Sequence, residues 1–108
     1  GWVAGEREIP LLTRKMLEDR DALCRAWAAS SLMQMSFHRV KGAILQEETK
    51  KAFAKAIQEE EDLQACGIMI EAAQTLFSKK WLSASASEVE DETQIEKARR
   101  SAVRFLTK

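Results

Sequence analysis

His38 is the only histidine in the chain, and it sits in the one short pattern with chemical potential: residues 38–42 read His-Arg-Val-Lys-Gly. On a helix, positions i, i+3 and i+4 share a face, so His38, Lys41 and Gly42 would lie together. A neutral imidazole near pH 7 is a competent phosphoryl acceptor, and a lysine ammonium one turn away suits the phosphate it would carry. Other chemistries fail for want of residues. His38 is 14 residues from Cys24 and 28 from Cys66, which matches no compact zinc spacing. A paired-metal carboxylate bundle needs Glu three residues before His, and that place holds Met35. There is no glycine-rich phosphate loop, and one histidine leaves no second base for a nucleophile pair. No metal and no cofactor are therefore expected.

The His38, Lys41, Gly42 spacing resembles the phosphoacceptor motif of histidine-containing phosphotransfer domains, which are helical bundles of about this size. The resemblance implies that His38 is the acceptor, Lys41 the phosphate contact and Gly42 the clearance for a partner. It covers five residues. Phe37 stands where that family has a small residue.

Other residues suit binding rather than catalysis. Exposed tryptophans are enriched at binding hot spots, so Trp2, Trp81 and the neighbouring Phe77 are candidates for partner contact. Lys97, Arg100, Arg104 and Lys108 recur at steps of three and four and form a basic face on one helix. Its partners would be acidic groups, but the domain's zero net charge, from 17 basic and 17 acidic residues, argues against nucleic acid. The run Gln58-Glu59-Glu60-Glu61-Asp62 reads as solvated, with contact to a basic partner as the alternative. Cys24 and Cys66 read as reduced core residues.

The elements that must position these residues read as helices throughout. Ile9, Leu12, Met16, Leu23, Ala26, Met33, Phe37, Val40 and Ile44 follow steps of three and four with gaps at Asp19 and Ser30, a single long stripe with Trp27 beside it in the core. Pro10, the only proline, suits a first helical turn. This spacing predicts a helix over about 10–45, with Ser30-Ser31 as the place for a break. Thr49 then suits an N-cap, and Phe53, Ala56, Leu63, Cys66, Ile70, Ala73 and Phe77 predict a second helix over 49–82. Ser83 to Ser87 read as a linker. Ser87 with Glu90 forms a capping box, and the last helix, 87–107, runs from acidic to basic as its dipole favours.

Together these give an all-α antiparallel bundle of three long helices, or four with the break at Ser30-Ser31, over residues 9–108, preceded by a flexible arm over 1–8. Helices longer than 30 residues would be elongated for 108 residues and would bury surplus apolar surface on a partner or a second copy. No apolar run approaches the 20 residues that span a bilayer. Residues 1–30 lack the pattern of a secretory leader, so a cytoplasmic setting is expected. The function expected is a non-enzymatic helical interaction module, an adaptor or assembly element that binds a partner protein or itself through an apolar or aromatic helix face. Phosphotransfer through His38 is the alternative.

Overall fold

The computed structural model describes residues 5–35, 42–82 and 92–107. Those residues form five α-helices: α1 (Gly5–Glu18), α2 (Ala22–Met35), α3 (Gly42–Glu59), α4 (Leu63–Leu76) and α5 (Glu92–Leu106). No strand occurs among the described residues. The all-α expectation holds, but the long helices do not. The first two predicted long helices are each cut at aspartates, while the last is continuous over its described part as α5.

The first cut lies at Asp19–Asp21, and Ser30 and Ser31 run through the middle of α2. Asp19 Oδ1 accepts from the Asp21 amide at 2.9 Å, and Asp21 Oδ1 accepts from the Leu23 amide at 2.9 Å. A short acidic side chain that bonds the backbone competes with helix continuation and caps the next start. The second cut, at 60–62, repeats the device: Asp62 caps α4 by accepting from the Ala65 amide at 2.9 Å. Thr49, expected as an N-cap, is instead a buried residue inside α3. α1 begins at Gly5, within the span expected to be an arm, and carries Pro10 in its interior at the expense of one backbone bond. The predicted linker and capping box, Ser83 to Glu90, lie outside the described residues.

Shorter helices change the shape. At 1.5 Å per residue they are roughly 21–27 Å long. The radius of gyration is 12.9 Å, against about 13 Å for a compact chain of this length. α4 sits at the centre. It packs on α2, α3 and α5, while α1 closes the bundle against α2 and α3. The sequence of α4 explains its place: Ala65, Cys66, Met69, Ile70, Ala73 and Leu76 are all buried, and Gly67 is buried without interrupting the helix. Phe53 and Ile57 of α3, Leu32 of α2, Met16 of α1, and Ile95 and Leu106 of α5 complete the core. No helix among the described residues is long and apolar enough to cross a membrane.

Candidate functional site

α2 is apolar on two sides. Ala26, Ala29 and Leu32, at steps of three, are buried. Leu23 and Trp27, one turn apart, point the other way: Leu23 is 44% exposed and Trp27 73% exposed. Trp27 therefore does not belong to the core where the stripe places it. The reason is the cut at Asp19–Asp21, which resets the helical phase between Met16, buried in α1, and the residues of α2. Cys24 is corrected in the same way. It is exposed, not a core thiol.

Beside Trp27 runs a groove of about 350 Å³ between α1 and α2. Leu12, Lys15 and Asp19 line one wall, and Leu23, Cys24 and Trp27 line the other. Leu11, 63% exposed, lies next to it in sequence on α1. Desolvation first, then the carboxylates of Asp21 and Asp19, hold the Cys24 thiol above its ordinary range. Large exposed apolar side chains grouped on one face are the mark of an interaction surface, and a tryptophan at their centre supplies wide contact area with few rotamers to freeze.

The aromatic residues favoured from the sequence sit elsewhere. Phe77 is 8% exposed and packs edge-on between Phe53 and Phe105, with centroids 6.3 and 6.0 Å away. Its ring is part of the core, not of an open face. Trp81 is half-buried and tilts against Phe105 at 5.8 Å. Its backbone is held by the Gln74 side chain, which accepts from the Trp81 and Leu82 amides at 3.1 and 3.0 Å and donates to the Leu82 carbonyl at 3.1 Å. Trp2, His38, Lys41 and Lys108 lie outside the described residues. Gly42 is the first residue of α3. Lys97, Arg100 and Arg104 are all exposed on α5.

The acidic run at 59–62 is not uniformly solvated. Glu60 is 3% exposed. Arg25 of α2 donates from Nε to its Oε1 and from Nη2 to its Oε2, both at 2.8 Å. Burial alone would raise the Glu60 carboxyl. The Arg25 hydrogen bonds, the Asp62 amide and the Arg25 charge outweigh it and hold the carboxyl below its ordinary value. This pair is fully engaged within the fold and leaves no spare ligand. No group of three His, Cys, Asp or Glu able to hold a metal occurs among the described residues.

The groove was missed in the sequence because Trp27 and Leu23 fall on or beside a periodic stripe. Asp21 directly ahead of Ala22 is the signal that could have revealed it. No protein-family model, no curated protein and no solved structure matches the chain.

Proposed function

We propose that the protein is a non-enzymatic helical interaction module that binds another protein, or a second copy of itself, through the α1/α2 groove. The observation that carries this reading is Trp27, a tryptophan 73% exposed beside an apolar groove. Leaving an indole in water forgoes roughly 1.5–3 kcal/mol of burial that the fold could have used. A protein partner that covers Trp27 and Leu23 recovers it. Lys15 and Asp19 on the rim provide both charge signs for register.

Light scattering over a range of concentrations tests self-association. Cys24 lies in the groove and takes a photoactivatable crosslinker, which reports other partners. The expected result is a dimer, or a specific crosslinked protein, lost in Trp27→Ala with the helical circular dichroism unchanged. A protein that stays monomeric and yields no crosslink, or an association that survives Trp27→Ala, overturns the reading.

A further inference from the structure

A second surface lies between α3 and α5, away from the Trp27 groove. Arg99 Nη1 of α5 donates to the Gln58 carbonyl of α3 at 3.2 Å, while Leu106 and Thr107 border Lys50 and Lys51. The two helices are thus antiparallel. This alignment sorts charge. Glu59, Glu61 and Asp62 lie at one end of the pair, beside the first half of α5, which carries Glu92 and Glu96 together with Lys97, Arg99 and Arg100. Lys50, Lys51 and Lys55 occupy the other, beside the last turn of α5 with Arg104. The chain has zero net charge, yet bases outnumber acids at this second end.

The basic end holds a groove of about 390 Å³, walled by Lys50, Lys51 and Lys55 and floored by Ala54 and Leu106. Lys51 and Lys55 are exposed and one turn apart. Lys50 Nζ lies 5.4 Å from the Phe105 ring centroid, and Lys79 Nζ lies 4.6 Å from the same centroid. The two ammonium groups are thus within about 10 Å, one Debye length at 0.1 M salt, and their fields add. None of the salt bridges among the described residues engages these four lysines. On α3 acids flank the lysines at one turn on either side, Glu47 before Lys51 and Glu59 after Lys55.

We propose that this groove binds a short acidic peptide segment of a partner protein, with carboxylates on Lys50, Lys51 and Lys55 and an apolar side chain over the floor at Ala54 and Leu106. A nucleic acid strand fits less well. An extended polyanion would run from the lysines onto the acidic end of the same helix pair. The adjacent aromatic ring, Phe105, already carries two ammonium groups and is not open to base stacking. The proposal does not rest on the Trp27 groove, and each can fail alone.

The test is fluorescence anisotropy with a labelled peptide of Glu and Leu at helical spacing, set against its Lys-for-Glu counterpart and a single-stranded oligonucleotide of similar charge. The expected result is binding of the Glu peptide only, weakened by added salt. Lys51→Glu with Lys55→Glu should weaken it at least tenfold, and Lys97→Glu should leave it unchanged. Both groove lysines are exposed, so the double variant should keep its helical circular dichroism; Lys51→Gln with Lys55→Gln gives the same readout with less electrostatic change. No binding of the Glu peptide, equal binding by the charge-reversed variant, or tighter binding of the oligonucleotide overturns the proposal.

Discussion

Arg25 and Glu60 join the two places where the helical pattern is cut. The guanidinium donates twice to the Glu60 carboxylate at 2.8 Å and, from Nη1, to the Asp19 carbonyl at 2.7 Å. Glu60 Oε2 also accepts from the Asp62 amide at 3.2 Å. One arginine therefore ties the α1–α2 turn to the α3–α4 turn. Bidentate geometry of this kind is specific to arginine. It satisfies backbone groups that the helix ends would otherwise leave without partners.

Removing one member of a buried pair strands the other charge, which costs about 3–5 kcal/mol. Arg25 keeps some contact with water, so Glu60→Gln should lie at the low end, about 3 kcal/mol in urea denaturation. The pH dependence follows from the direction of the shift. The folded Glu60 carboxyl ionises below its ordinary 4.5. Its contribution is present above that pH and is lost as the pH falls through the folded value. The stability gap between the natural chain and Glu60→Gln should be constant from neutral pH to mildly acidic pH and shrink below 4.5. A gap that keeps its size in strong acid would show that the carboxylate charge is not its source.

The helical class was legible because apolar residues recur at three and four throughout. The cuts were hidden because that recurrence passes over them: Met16 and Leu23 are seven apart, as they would be on one continuous helix. Three residues outside the helix then rotate everything after them. Leu23 and Trp27 leave the core with this rotation, while Ala26 stays in it. Asp21 before Ala22 and Asp62 before Leu63 were the readable signs, since an aspartate just ahead of an apolar run is a start signal. The Arg25–Glu60 pair was not readable, because it joins residues brought together only when α2 docks beside the end of α3. The basic groove was half readable: Lys50, Lys51 and Lys55 are close in sequence, but their pairing with the end of α5 is tertiary.

Ser78 has φ of +56°, the left-handed region. It follows α4 in a glycine's usual role: the Ser78 amide donates to the Thr75 carbonyl at 3.4 Å and the Lys79 amide to the Gln74 carbonyl at 2.8 Å. An L-residue there costs roughly 1–2 kcal/mol, part of which glycine regains and part of which its unfolded-state freedom offsets. Ser78→Gly should stabilise the fold by about 0.5–1 kcal/mol, and Ser78→Val should destabilise it. A lower midpoint for Ser78→Gly would mean that the serine side chain contributes something its backbone angle does not reveal.

The two thiols should behave as opposites. Burial pushes the Cys66 thiol up to about 11, with Arg99 pulling it partly back, and its Sγ faces the Ile57 carbonyl at 3.9 Å inside the core. Cys24 is exposed but also held above its usual range. A thiolate is the reactive form. A disulfide reagent should therefore modify Cys24 alone in the native protein, faster as the pH rises, and Cys66 only in denaturant. Cys24→Ser should abolish the native reaction. Two thiols modified at comparable rates would mean that α4 opens readily from its neighbours.

The Gln74 side chain is the clamp that seats Trp81. Its three hydrogen bonds to the backbone of Trp81 and Leu82 hold the chain after α4 against the bundle, where the indole meets Phe105 at 5.8 Å. A net hydrogen bond contributes about 1 kcal/mol, and freed groups near the surface recover part of that from water, so Gln74→Ala should cost about 2 kcal/mol. The local readout is more telling than the total. With Trp2 and Trp27 replaced by Phe, Trp81 is the only fluorophore of its kind. Its emission should move to the red and its quenching by acrylamide should rise in Gln74→Ala. Gln74→Glu keeps an acceptor for the two amides but loses the donor to the Leu82 carbonyl, and should fall between. Unchanged emission in Gln74→Ala would show that contact with Phe105, not the amide clamp, holds Trp81 in place.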